Sequence, residues 1–251
     1  MILRRLIDNI KRQAWTAIVI EFVIVVIGIF VGLQVNNWNA ELANRALEAT
    51  HVRNLAKDIR SDIAEIDRIL HVSSVRMAVL SRVLVEASGK PLPDGFDSAR
   101  GRIEIERVPP FADNDPNTVG IALFILSSLD GNRSTYQTII STGGLGVIRD
   151  TGLVREILDY YAAVDGTRHF ESDLAQNRDK LIDVERQLGI SPVQARTLAE
   201  YVAILHASAP LLATAQNYWL YTNRHLKLIG ELRANAERLA KHLEDASGGV
   251  R

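Results

Sequence analysis

The chain has 251 residues, with 29 Lys and Arg against 30 Asp and Glu, a formal charge of −1, 47% hydrophobic residues and no cysteine. That length admits one or two domains and a sizeable core. The balanced charge gives no footing for a nucleic-acid partner. The missing cysteines exclude disulfides and thiolate metal sites, as suits an exported domain free of thiol chemistry.

The near-neutral total conceals an asymmetry. Residues 1–13 hold Arg4, Arg5, Lys11 and Arg12 against Asp8 alone, a net +3, whereas residues 40–251 sum to −3. Residues 14–35 then read AWTAIVIEFVIVVIGIFVGLQV, with one ionisable residue. A run of about 20 apolar residues matches the roughly 30 Å hydrocarbon core of a bilayer. Trp15 and Trp38 bracket the run, about 35 Å apart along a helix, as an aromatic belt at two interfaces would be. The run is too long for a cleaved signal and ends in Gln-Val-Asn-Asn-Trp-Asn, without a small-x-small cleavage site. The sequence therefore predicts an uncleaved signal anchor over 14–38, a cytoplasmic basic tip over 1–13 and a translocated domain over 39–251.

Glu21 is the one carboxyl inside this span, at an insertion cost of about 2.5–3.5 kcal/mol near the centre. At about 100° per residue, Ala14, Ala17, Gly28, Gly32 and Asn39 fall within about 40° of it, on a face shared with Val25. Gly28 and Gly32 form a Gly-x-x-x-Gly pair that permits close helix approach. Ala14, Ala17, Glu21, Gly28 and Gly32 are thus a candidate helix–helix contact face, with Trp15 and Trp38 as interfacial anchors. The alternative is a Glu21 that merely snorkels beside neutral glycines.

The remainder predicts helices. Leu55, Ile59, Ile63, Ile66, Leu70, Met77, Leu80 and Leu84 recur at spacings of mostly three and four, giving an amphipathic helix over 40–86. A Pro/Gly-rich excursion over about 88–117 interrupts the pattern. Within it the alternating residues 102–108 suggest an isolated strand, and residues 118–129 suggest a short buried helix. Ser134 and Gln137 have capping-box spacing for a helix over 135–142 that ends at Gly143-Gly144. Asp150 should cap a helix to Ala163. Asp165-Gly166 should precede another to Leu188, stopped by Gly189. Ser191-Pro192 should open a helix to about Ala207, and Pro210 a last one to about Asp245 with Leu212, Ala215, Trp219, Leu226, Ile229, Leu239 and Leu243 as its stripe. The expected fold class is mainly α: one N-terminal transmembrane helix, then an antiparallel helical bundle with a long first helix.

Candidate catalytic motifs are weak. Gly143-Gly144-Leu145-Gly146 follows a helix rather than a strand, so it reads as a cap and not a phosphate cradle. His51, His71, His169, His206, His225 and His242 lack metal-ligand spacing, and Ser134 and Ser141 lack a nucleophile elbow. Tyr160-Tyr161 and Tyr218-Trp219-Leu220-Tyr221 read as core rather than a ligand pocket, and Asn132-Arg133-Ser134 is a formal glycosylation acceptor. No cofactor is expected.

Glu21, then Val25-Val26-Ile27-Gly28-Ile29, then Leu33-Gln34-Val35-Asn36-Asn37-Trp38-Asn39 resemble the N-terminus of a group of bacterial membrane proteins of unknown function. A second resemblance runs from Thr135-Tyr136-Gln137 through Ser141-Thr142-Gly143-Gly144-Leu145 and Ile148-Arg149-Asp150 to Leu153 and Tyr160-Tyr161. In it, isoleucine (Ile139 or Ile140) stands where leucine is usual. The resemblance implies a bacterial cell-envelope protein and brings no activity; Gly32 is not part of the shared pattern. From these readings we expect a protein of the inner membrane, N-terminus in the cytoplasm and bulk in the periplasm. It would be a non-enzymatic accessory or scaffolding subunit whose partners are the lipid bilayer and other membrane subunits, or a second copy of itself. A sensor or small-ligand-binding helical domain is the alternative, and an enzyme the third reading.

Overall fold

The computed structural model describes residues 2–99, 101–112, 116–191 and 194–248; the side chains of 2–14, 16, 116–118 and 248 lie outside that description. The fold is mainly α, with six α-helices among the described residues. The chain divides into two units, residues 1–51 and 52–251.

The first unit is the N-terminal part of α1 (Ile2–Ser88). Every side chain of residues 17–40 is exposed, and this stretch is long and apolar enough to cross a membrane. The anchor and the amphipathic segment predicted after it belong to one helix. Between Gly32 and Gly89 there is no glycine or proline, so nothing in the backbone ends the ladder of hydrogen bonds. Gly89 does end it: its φ of +67° is a left-handed cap that residues with a Cβ rarely adopt.

The second unit is a three-helix bundle of α1 from Val52 onward, α4 (Thr151–Gln187) and α6 (Ala209–Gly248). Cross-helix bonds give the directions. Arg60 meets Glu244, Asp67 meets Arg233, Ser73 meets His225 and Ser81 meets Trp219, so α6 runs antiparallel to α1. Glu156 meets His242, Glu171 meets His225 and Asn177 meets Asn217, so α6 is antiparallel to α4 as well. The first and second bundle helices therefore run the same way, and a crossover of some 60 residues joins them.

Two apolar clusters fill the bundle. One gathers Leu55, Ile59 and Ile66 with Ile157, Tyr160 and Tyr161 and with Ile229, Leu232 and Leu239. The other gathers Met77, Leu80 and Leu84 with Leu174, Leu181, Tyr218 and Trp219. Helix α2 (Pro116–Phe124) contributes Val119 and Leu123 to the second cluster. Helix α5 (Leu198–Ala207) adds Leu198, Tyr201 and Leu205.

Four expectations change. The strand near residue 102 is not isolated: β2 (Gly101–Glu104) pairs antiparallel with β1 (Gly95–Ser98). Gly95 is needed there because a Cβ would come within 2.7 Å of the Ile103 carbonyl oxygen. Asn223 on α6 secures the hairpin base, accepting from Glu106 N at 2.8 Å and donating to Glu104 O at 3.2 Å.

The capping box at Ser134 does not form. Arg133 is the N-cap of α3 (Ser134–Ser141), without a side-chain cap bond. Ser134 lies inside the helix, where its oxygen is not placed to accept from the N3 amide, and its hydroxyl donates to Asn132 Oδ1 at 2.9 Å. A 3-10 turn at Gly144–Val147 follows.

The expected break at Asp165-Gly166 is absent, and α4 runs unbroken over 37 residues. Buried Val164 and Thr167 flank the glycine, and their packing outweighs the roughly 1 kcal/mol propensity cost. Last, α5 starts at Leu198, not after Ser191. The Thr197 hydroxyl accepts from Glu200 N while Glu200 accepts from Thr197 N, a reciprocal capping box. Pro192 lies outside the described residues. The Asp150 cap forms as the sequence suggests, accepting from Gly152 N and Leu153 N at 2.8 and 3.0 Å.

Candidate functional site

The contact face predicted in the first unit is borne on a single helix. Ala17 and Glu21 are exposed, and nothing lies within 4 Å of where a Cβ would sit on Gly28 or Gly32. The side chain of Ala14 is outside the described residues. Trp15 and Trp38 are 69% and 63% exposed. Among the described residues of this face, every side chain is exposed.

The second unit holds a polar layer that local sequence patterns do not announce. His225 on α6, fully buried, lies between Ser73 of α1 and Glu171 of α4. Its Nδ1 is 3.2 Å from Ser73 Oγ and its Nε2 3.3 Å from Glu171 Oε1. With Nε2–H donating to the carboxylate oxygen, the remaining nitrogen of a neutral ring, Nδ1, accepts from the Ser73 hydroxyl. Glu171 also receives Leu129 N. These are the residue types of a hydrolytic triad, but Ser73 is 1% exposed and no substrate reaches its hydroxyl in this conformation. The carboxyl end of the relay is the end that faces a cleft, which residues 126–130 and α4 enclose. The geometry suits a layer that joins three helices rather than a nucleophile.

A second network clamps the loop before α3. Glu65 accepts from Asp130 N (3.0 Å) and Gly131 N (3.3 Å), Asp62 from Asn132 N (2.7 Å), and Asp58 from Asn132 Nδ2 (2.9 Å) and Thr135 N (3.3 Å). Tyr160 donates its hydroxyl to Asp62 at 2.8 Å. Burial raises the Asp62 carboxyl above its ordinary range despite the Asn132 and Tyr160 bonds, and it raises Tyr160 too, with Asp62's charge adding to the effect. Tyr161 stacks on Tyr136 with centroids 3.8 Å apart. The carboxylates of Asp58, Asp62 and Glu65 on α1 thus hold backbone amides.

The third network closes the C-terminal end of α2. Tyr218 donates to Leu123 O at 3.1 Å, Arg178 to Phe124 O at 3.3 Å and Arg76 to Ile125 O at 2.6 Å. The free carbonyls there carry the negative end of the helix dipole, so a buried arginine finds its counter-charge in backbone. Burial still lowers the Arg76 pKa below its usual value.

Tyr160, Tyr161, Tyr218 and Trp219 are all core residues, as read from sequence. Gly143 takes a φ of +71° between α3 and the 3-10 turn. Among the described residues, no three His, Asp or Glu side chains are placed to hold a metal ion. No curated protein and no solved structure matches the chain. Residues 21–85, from Glu21 through the last turns of α1, match a family of unknown function, DUF6090.

Proposed function

We propose that the protein is a membrane-anchored, non-enzymatic interaction protein, an accessory or scaffolding subunit of an inner-membrane assembly in a bacterial envelope. The N-terminus stays in the cytoplasm, residues 14–38 span the bilayer, and residues 39–251 lie in the periplasm. The observation that carries this reading is the wholly exposed apolar surface of residues 17–40. Apolar area of that extent is covered by lipid or by another helix, and the one carboxyl within it gains from a partner that satisfies it. The open Gly28 and Gly32 positions leave room for a facing backbone. The match of residues 21–85 to a family with no assigned chemistry is compatible with this role.

A second reading, a small-ligand sensor, draws on the cleft of about 390 Å³ beside residues 126–130 and α4, where Arg168, Arg178 and Glu171 line the wall.

The experiment is mild-detergent purification from native membranes, followed by mass spectrometry and cross-linking. Gly28→Leu should abolish recovery of the co-purifying subunit or of a homodimer, by bulk. Glu21→Leu should reduce that recovery by removing a contact worth around 0.6–2 kcal/mol, and Val26→Leu, about 140° away, should not. Equal recovery from all three variants removes the helix face from the proposal. A stoichiometric small molecule with no protein partner favours the sensor.

A further inference from the structure

The end of α4 meets α5 through polar groups that lack conventional partners. Glu185, in the last turn of α4, is 0% exposed, and neither of its carboxyl oxygens has a hydrogen-bond partner. Tyr201 of α5 is 3% exposed and its hydroxyl is likewise unpartnered. Arg196, from the segment ahead of α5, is buried near both. Its guanidinium, however, is committed to Ser191 O at 2.8 Å, Gln194 O at 3.2 Å and Gln194 Oε1 at 3.1 Å.

The rest of α5's attachment is modest. Among the described residues it includes buried Leu198 and Leu205, partly buried Val202 and Ile204, a Tyr201–Phe124 ring pair at 6.1 Å and one bond between His206 Nδ1 and Ala87 O at 2.9 Å. Helix α5 has ten residues, and the chain bends by 119° where it passes into α6.

We propose that Glu185 and Tyr201 form a pH-sensitive latch, which holds α5 against the end of α4 while the carboxyl is protonated and releases it on ionisation. A protonated carboxyl needs no counter-charge and can donate to the Tyr201 oxygen. An ionised one can accept only from the Tyr201 hydroxyl, which is too little for a buried charge, so it must draw in water or pull Arg196 from its carbonyls. Either response displaces the segment that leads into α5.

Burial pushes the Glu185 carboxyl up to about 7, against the opposing influence of Tyr201 and Arg196, the two titratable groups that face it. Because the docked value is raised above the ordinary 4.5, the docked state holds the proton more tightly. Docking is therefore strongest below about pH 4.5, weakens as the pH rises from there to about 7, and is constant above. Between pH 5.5 and 8.5 the docking constant should fall about 30-fold.

The test is hydrogen exchange on the full chain in detergent at those two pH values, corrected for intrinsic rates, in peptides covering residues 190–207. Wild-type protection should drop by tens of fold at the higher pH, while residues 153–164 of α4 keep theirs. Glu185→Gln and the apolar Glu185→Leu should abolish the dependence. Wild-type protection that does not change overturns the latch, whatever the variants do. A dependence that survives in either folded variant also overturns it.

Discussion

His242 illustrates how much a single side chain can contribute at the end of the bundle. Its Nδ1 lies 3.1 Å from Glu156 and its Nε2 3.3 Å from Asp150, the residue that caps α4. The hydrogen bond to Glu156, and then the charges of Glu156 and Asp150, raise its pKa above the ordinary 6.5. The charged form is thus favoured in the fold, so its stabilisation is complete below about pH 6.5 and is lost as the pH rises through the higher folded value. The group is largely solvated, which screens the pair to less than about 1 kcal/mol. The urea midpoint of the full chain should fall between pH 6.5 and 8.5 in a Glu185→Gln background, where the latch no longer titrates. Adding His242→Gln should flatten that slope; an unchanged slope would assign it elsewhere. None of this is legible in sequence, because Glu156 and His242 are 86 residues apart and no spacing rule connects them.

Elements were legible where the signal was local. The Asp150 cap, the Gly89 terminus and the long apolar stripe of α1 depend on neighbours within a turn or two, and each is found where the residues put it. The misreadings differ in cause: packing overrides the local signal of Gly166, whereas the neighbouring Asn132 takes the Ser134 hydroxyl. What a glycine contributes can be measured. Gly166 sits in the helical interior of α4, with nothing within 4 Å of where its Cβ would be, so Gly166→Ala should stabilise by about 0.5–1 kcal/mol. Gly143, at φ +71°, should respond the opposite way, since alanine is strained there. Urea denaturation of the two variants checks the pair. Destabilisation by Gly166→Ala would mean that this glycine serves as a flexible point and not as a tolerated defect.

At the scale of the whole second unit, the Ser73–His225–Glu171 layer separates one apolar cluster from the other. Hydrophobic stripes alone allow helices to slide by a turn, whereas a layer that must match donors with acceptors specifies one register. His225→Leu would strand the Ser73 hydroxyl, at about 1–3 kcal/mol, while Glu171 keeps Leu129 N. Ser73→Ala would leave the buried His225 Nδ1 without a donor, at a similar cost. Equilibrium denaturation should show both variants destabilised; a His225→Leu protein as stable as wild type would show that the layer contributes nothing beyond its packing. Fold class was readable from periodicity, but not the parallel course of α1 and α4, because helical stripes do not say which neighbour they face.

The pairing of α1 with α6 also sets a timetable for the nascent chain. Arg60 must wait for Glu244, 184 residues later, and at typical translation rates that is an interval of about 10–40 s. Throughout that time Leu55, Ile59 and Ile66 lack the α6 side of their core. A ribosome making this protein therefore holds out a sticky, half-finished helix until α6 has been made. Whatever guards that helix has to act before the forty residues of α6 exist.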